Sequence, residues 1–438
     1  MAVPVLFIAL FVMLLIGVPV GFAIGGATML SMFAYSDLNM AINAQYCYSG
    51  IFSFTVMAIP FFMLAGLIMS TGGIAKRIVD FASALISFVS GAIGCVTIIA
   101  CMFFGALSGS GMATTSAIGG MMIPEMKRKG YDPAYAATIV CFGGIIGPII
   151  PPSLSFVLYG ASTGVSISQL FLAGVLPGVL MGILFLGANI ITCTIKGVDL
   201  KQKRVNDSDE KVPIGEAMKY RFSEIAKSMK EGFWALLSPV IILGGIYSGV
   251  FTPTEAACIS VVYSIIISLY VYKDLTWAGL KNVFLDTAVL NGITSFLLGY
   301  STVFSTFMTY ERVPQTITEF LTSVSTNPLI VLLFVNLILL VVGLFLDTVP
   351  AIIVMAPMLM PTVQVLGINP VHFGVLMTVN LALGLCTPPY GCNLFVGAAV
   401  AKIKMESMFV HIMPLFIVGL IGLALVTYIP WLSLVFIN

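Results

Sequence analysis

A shift of 237 residues lays one stretch of this chain on another without a gap: Pro124, Pro133, Pro151, Pro152 and Pro177 fall on Pro361, Pro370, Pro388, Pro389 and Pro414. Gly130, Gly147, Gly160 and Gly182 fall on Gly367, Gly384, Gly397 and Gly419. All five prolines between residues 361 and 419 meet a proline. Random placement gives fewer than about one such match, so the chain holds two copies of one unit. If the chain lies in a membrane, matched helix breakers point to a transporter whose site sits at the breaks.

Composition puts it there. Charged residues are 8% and hydrophobic residues 59% of the chain, whereas soluble domains carry about 25% charged residues. Apolar runs long enough to cross ~30 Å of hydrocarbon recur from end to end. The net charge of +1 implies no charged partner. The stretch 2–16 lacks a basic start and reads as a first membrane helix, not a cleavable leader. The eight cysteines show no metal or redox spacing, which suits small buried hydrophobes.

Spans are expected near 2–17, 19–35, 50–71, 133–162, 169–195, 233–250, 256–272, 282–309, 370–400 and 408–435. All should be helical, because a lone span must satisfy its own backbone. Segments 91–124 and 329–363 are apolar but too long for one crossing. Their turn-prone centres, Ser108-Gly109-Ser110-Gly111 and Asp347-Thr348-Val349-Pro350, predict helical hairpins that enter and leave on one side. With both hairpins re-entrant, every Lys and Arg except Arg312 falls on one side. The positive-inside rule makes that side cytoplasmic and places both termini in the periplasm. The first hairpin then opens inward and the second outward, so the copies are inverted. The fold class is all-α integral membrane. Residues 1–195 form the first inverted repeat, 196–232 a cytoplasmic linker with a short surface helix, and 233–438 the second repeat. Segments 74–90 and 310–325 read as interfacial supports for the hairpins.

Irregular backbone at membrane depth survives only where it is buried in protein or lines a cavity. Four such places are expected: the two hairpin tips and the two interrupted spans, around Gly143 to Ser153 and Gly384 to Gly391. A Pro-Pro pair removes backbone donors and frees carbonyls in the preceding turn. Freed carbonyls suit Na⁺, and half-helix N-termini suit an anion. Asp347 is the sharpest residue, because an intramembrane carboxylate costs about 2.5–3.5 kcal/mol on insertion scales. It also fits a helix cap, with Pro350 in the first turn. Its repeat partner is Ser110. Ser108 and Ser110 each offer a hydroxyl and a carbonyl; Thr114, Thr115 and Ser116 read as caps or packing. Ser153, Ser155 and Asn393 follow the Pro-Pro pairs and are placed to bond a carboxylate. Thr252 and Glu255 predict a capped helix start. His372 and His411, near span starts, read as interfacial. The chain has no Gly-x-x-x-x-Gly-Lys-Ser/Thr loop for ATP and no intramembrane His or Glu cluster, so an enzyme is not expected.

These segments resemble a known family. Phe104-Gly105-Ala106-Leu107-Ser108-Gly109-Ser110-Gly111, Lys129-Gly130-Tyr131-Asp132-Pro133-Ala134-Tyr135-Ala136 and Gly147-Pro148-Ile149-Ile150-Pro151-Pro152-Ser153 carry the likeness in the first half. Gly249-Val250-Phe251-Thr252-Pro253-Thr254-Glu255-Ala256, Asn369-Pro370-Val371-His372-Phe373-Gly374 and Thr387-Pro388-Pro389-Tyr390-Gly391-Cys392-Asn393-Leu394-Phe395 carry it in the second. Together, and over essentially the whole chain, they are similar to the large membrane subunit of tripartite ATP-independent periplasmic (TRAP) transporters.

The resemblance implies an elevator-type architecture of the ion-transporter superfamily. The hairpins and broken helices would form the transport domain and the rest the scaffold. It implies Na⁺-coupled import of a small organic anion across the bacterial inner membrane, with two or more coupling ions. The implied partners are a small four-helix membrane subunit and a periplasmic substrate-binding protein. One implied Na⁺ site joins Ser108, Gly109 and Ser110 to the break at Gly143, Gly147 and Pro151. A second joins Leu346, Asp347 and Thr348 to Gly384, Thr387 and Pro388. The implied substrate contacts are Ser108, Ser110, Ser155 and Asp347. Gly111 departs from many family members. A stand-alone symporter of divalent anions shares this architecture and needs no binding protein; a membrane pore is a third reading.

Overall fold

The computed structural model describes residues 2–35, 40–86, 91–196 and 214–437, and all regular structure among them is helical. The first half holds α1 (Ala2–Leu15), α2 (Val20–Tyr35), α3 (Ala41–Ile51), α4 (Ala58–Thr71), α5 (Ile74–Ile86), α6 (Ala92–Ser108), α7 (Gly111–Arg128), α8 (Pro133–Gly144), α9 (Leu154–Thr163) and α10 (Ile167–Lys196). The second holds α11 (Ile214–Tyr247), α12 (Pro253–Ile266, continued by a π turn over Ile267–Val271), α13 (Trp277–Tyr310), α14 (Val313–Val324) and α15 (Pro328–Phe345). It continues through α16 (Thr348–Val365), α17 (Pro370–Gly384), α18 (Cys392–Ala401), α19 (Phe409–Tyr428) and α20 (Trp431–Leu434). Among the described residues, seven helices are long and apolar enough to cross a membrane, and up to eight if the bent pair α4–α5 is one span.

The repeat seen in the sequence reappears in the helix ends. The same 237-residue shift carries both ends of α7 onto both ends of α16. The pairs α6–α7 and α15–α16 are the hairpins; α8–α9 and α17–α18 are the interrupted spans. Local chemistry repeats too. Asp132 caps α8 through Ala134 N with Pro133 in the first turn, and Asn369 caps α17 through Val371 N with Pro370 there. Such a cap satisfies a donor the helix leaves orphaned, and proline loses nothing at the first position. Both Pro-Pro bonds, at 151–152 and 388–389, are cis.

Three expectations change. The span expected at 50–71 starts as a helix only at Ala58, and a separate helix, α3, precedes it. Its counterpart in the second copy is α13, a single unbroken helix of 34 residues, about 51 Å at 1.5 Å per residue. Gly50 of α3 faces Thr302 of α13, and Gly25 of α2 faces the Tyr300 ring; α13 is thus the beam on which both α2 and α3 lean. The span expected at 233–250 begins at Ile214, so part of the expected linker is helix continuous with it. The rest of the linker, 197–213, lies outside the described residues. His372 is not interfacial: it is buried, with Nε2 at 3.3 Å from Thr427 O.

Apolar packing gathers the helices into one large core and two smaller ones. The largest apolar core joins both hairpins, both interrupted spans, α10 and α19, with residues of α4, α5 and α11–α14 packed into it. Smaller cores hold α4, α5, α12 and α13 together with Leu107 of α6, and α1 and α2 with α13 and Met358 of α16. The amphipathic helices α5 and α14 run beside hairpin arms α6 and α16. Their apolar faces turn inward.

Candidate functional site

Each hairpin tip ends level with the break of its own copy's interrupted span. At the first tip Gly109 takes φ +61° between α6 and α7, a conformation that suits glycine. A Cβ there would lie 2.8 Å from Pro152 O and 3.2 Å from Ser153 Cα. Gly109 O accepts from Leu154 N at 3.4 Å, so tip and break share a backbone bond. Further down the arm, a Cβ on Gly105 would meet Gly147 Cα at 2.7 Å. The second copy repeats the contact one residue along, where a Cβ on Gly384 would lie 2.7 Å from Gly343 Cα. The rings of Phe345 and Tyr390, 5.6 Å apart, close that tip onto its break. Tips held at mid-span breaks fit hairpins that return on their own side.

The tips differ in chemistry. The first is a hydroxyl cluster: Ser108 Oγ lies 2.9 Å from Thr114 Oγ1, which donates to Ser110 O at 2.8 Å. Ser110 Oγ also caps α7, accepting from Ala113 N at 3.4 Å. The second tip carries one carboxylate. Asp347 Oδ1 accepts from Thr348 N at 2.7 Å and lies 3.3 Å from Thr348 Oγ1. Asp347 therefore does cap α16. No ion pair among the described residues includes it.

Both tips open on one cavity of about 1140 Å³. Ser108, Ser110 and Asp347 line it together, opposite Gly66 and Ser70 of α4 and Thr294 and Phe296 of α13. No Lys, Arg or His lines it among the described residues, and Asp347 is its one carboxylate. The cavity extends along α7 through Met112, Ala113, Ser116 and Ala117, towards the end of α7 that carries Lys127 and Arg128.

The other sequence-selected residues fall in different places. Ser155 is buried, and its helix presents Leu154 and Leu158 to the cavity instead. Asn393 is buried too; its amide donates to Cys141 O at 2.8 Å and ties the two interrupted spans to each other. Gly143 packs on Cys101 of arm α6, below the tip. Thr387 Oγ1 turns back to Leu383 O at 3.1 Å within its own break. Gly147, Pro151, Leu346, Thr348, Gly384 and Pro388 sit in the breaks and at the second tip, as expected from their positions. Glu255 holds the capping box with Thr252, a structural role. The sequence did not single out the cavity wall on α4. Ile59, Met63, Gly66 and Ser70 recur at helical spacing, but in a helix apolar all round that stripe carries no contrast.

Residues 7–432 match the family described as the tripartite ATP-independent periplasmic transporter, DctM component. The chain belongs to the TRAP transporter large permease family. It is 38% identical to the C4-dicarboxylate TRAP transporter large permease protein DctM of Vibrio cholerae, over 99% of this chain and 97% of that one. It is 35% identical to the sialic acid TRAP transporter large permease protein SiaM of Vibrio cholerae, covering 96% and 95%. It is 37% identical to the isethionate TRAP transporter permease protein DctMQ of Oleidesulfovibrio alaskensis, covering 99% of this chain and 66% of that one. The crystal structure of the YdaH transporter of Alcanivorax borkumensis superposes with a TM-score of 0.61 at 14% identity, covering 91% and 90%. That likeness shows the fold. The TRAP relatives are permeases, so the expectation of a transporter and not an enzyme stands, in a chain that crosses the membrane several times.

Proposed function

We propose that this permease carries a small organic anion, a carboxylate or sulfonate, into the cell on the Na⁺ gradient. The observation that carries the reading is the convergence of two unlike hairpin tips, Ser108–Ser110 and Asp347, on a cavity with no basic side chain. An anion entering such a cavity needs positive charge from elsewhere. Bound cations at the tips supply it, together with the N-terminal ends of α7, α9 and α16. Freed carbonyls of the breaks and the tip hydroxyls are the oxygen ligands such ions take. The substrate class follows the relatives named for C4-dicarboxylates, sialic acid and isethionate.

By the positive-inside rule the Lys- and Arg-bearing side faces the cytoplasm, which puts both termini in the periplasm. The moving body comprises the hairpins and interrupted spans, extended by α10 and α19. It slides as an elevator against α1–α4 and α11–α13, with α5 and α14 as the links. Sparse polar contact between the bodies favours sliding: Tyr247 of α11 reaches Phe171 O of α10 at 3.3 Å, and a link helix adds Thr318 to Thr362 at 2.8 Å. The partners are a small four-helix membrane subunit and a periplasmic binding protein, and the setting is the bacterial inner membrane. The test is uptake into liposomes. Transport should need Na⁺ outside, the small subunit and a loaded binding protein. Saturable uptake by this chain alone would instead mark a stand-alone symporter, and unsaturable conductance a pore.

A further inference from the structure

The first hairpin gathers more oxygen than its Ser-Gly-Ser tip. Thr114 stands one turn into α7 and is fully buried. Its Oγ1 lies 2.9 Å from Ser108 Oγ and 2.8 Å from Ser110 O. The same hydroxyl faces the break. A Cβ placed on Gly147 would stand 2.9 Å from Thr114 Oγ1, 2.9 Å from Ser110 O and 3.1 Å from Gly144 O. Three oxygens from two separate elements thus converge on one bare Cα, and Ser108 Oγ stands behind them. A side chain at residue 147 would fill that space. The second copy has no such group: Thr114 maps to Ala351 and Ser110 to Asp347. One hairpin therefore uses neutral oxygens from its arm where the other uses a carboxylate at its tip.

We infer that Thr114 Oγ1 is a direct oxygen ligand of a monovalent cation held at the first hairpin, in a cradle closed by Ser110 O and Gly144 O and kept open by Gly147. This rests on the reading of that hairpin as a Na⁺ site and adds a ligand from outside the tip. A hydroxyl suits the task because it has lone pairs to spare while its proton is donated elsewhere. When the ion binds, the proton now directed at Ser110 O turns away, and the Ser110 carbonyl faces the ion too.

The test uses the purified full-length permease, with the rise in its melting temperature on replacing KCl by NaCl as the readout. No substrate is needed. Thr114→Val keeps the shape and removes the oxygen; Thr114→Ser keeps the oxygen. Removing one oxygen from a charged group should raise the half-saturating Na⁺ concentration by roughly tenfold or more in Thr114→Val. In Thr114→Ser it should stay within about twofold, since the bonding group is retained. Gly147→Ala, which fills the cradle, should lose the same Na⁺ response. A Thr114→Val protein that melts lower but titrates with Na⁺ like the wild type would overturn the inference and leave Thr114 a packing residue. If that variant does not accumulate, a wild-type Na⁺ titration in Gly147→Ala overturns it equally. A wild-type protein indifferent to Na⁺ would instead sink the underlying reading of Na⁺ coupling. A Na⁺-responsive wild type with an unaltered Thr114→Val sinks only the role of Thr114.

Discussion

The two hairpin tips share a backbone and not a chemistry. Both sit on a break in their own copy, through Gly105 on Gly147 and Gly343 on Gly384. Both begin their second arm with a side-chain cap, Ser110 in one copy and Asp347 in the other. Yet the first offers hydroxyls that bond one another, and the second offers one carboxylate bonded only to Thr348. Duplication supplies a frame that sets two hairpin tips against two breaks and opens both tips on one cavity. The frame does not require equal occupants. On the proposed reading, a cavity that no Lys or Arg lines among the described residues draws on one tip with a carboxylate and one with neutral oxygens.

The sharpest way to break this comparison is at the tips. Asp347→Asn keeps the shape and the cap but removes the charge. It should abolish Na⁺-dependent uptake, with loss of at least about 100-fold, while the protein still inserts; neutralising an intramembrane carboxylate in this way even favours insertion. Uptake into liposomes beside quantified membrane insertion checks both halves. Ser110→Ala should also abolish Na⁺-dependent uptake. Its secondary effect on stability should be about 0.5–2 kcal/mol, the ordinary cost of losing a helix cap. Normal Na⁺ dependence in both variants would remove the tips from the site.

The shared frame is tested by glycine. Gly105→Ala and Gly384→Ala each drive a Cβ to 2.7 Å from the facing backbone. Each should lower thermal stability by about 1–3 kcal/mol, the usual cost of overpacking. Similar losses in the two copies support one frame used twice; a loss in one copy alone would show that the copies hold their hairpins differently.

A smaller effect separates the copies again. Gly66 of α4 faces the first tip, where a Cβ would lie 3.2 Å from Ser108 Cα; its counterpart in the second copy is Val303. Gly66→Val should slow uptake several-fold, and Gly66→Ala less, because one methyl asks only a small shift of the tip. Smaller still is Arg77→Ala. Arg77 pairs with Asp274 at 2.5 Å and lies over Tyr272, 3.6 Å from the ring centroid. The pair is half exposed, so its loss should cost no more than about 1 kcal/mol and fade in high salt.

Much of this arrangement was legible in the sequence because its carriers are breakers and charges. Prolines in register located both breaks, and Asp347 in an uncharged stretch located the second tip. The gathering of basic residues on one side is what the re-entrant reading of the hairpins rests on. Apolar pattern was less informative. A membrane helix is apolar on every face, so neither the boundary between α3 and α4 nor the cavity stripe through Gly66 and Ser70 stood out. His372 was misjudged because its partner, Thr427 O, is supplied by a helix 55 residues away. Thr114 was read as a cap or a packing residue. Its meaning depends on Gly147, which only the folded chain brings against it. Ser155 and Asn393 were chosen for following a Pro-Pro pair, and the rotation of their helices turns both into the interior.

The most direct test of the central claim is a Na⁺ titration of substrate uptake. It would use proteoliposomes holding this permease, its small membrane subunit and the loaded binding protein. The account predicts a steeper than first-order dependence on Na⁺ in the wild type, from more than one coupled ion, and no Na⁺-dependent uptake in Asp347→Asn. Uptake that is indifferent to Na⁺, or an Asp347→Asn protein that titrates like the wild type, would contradict it.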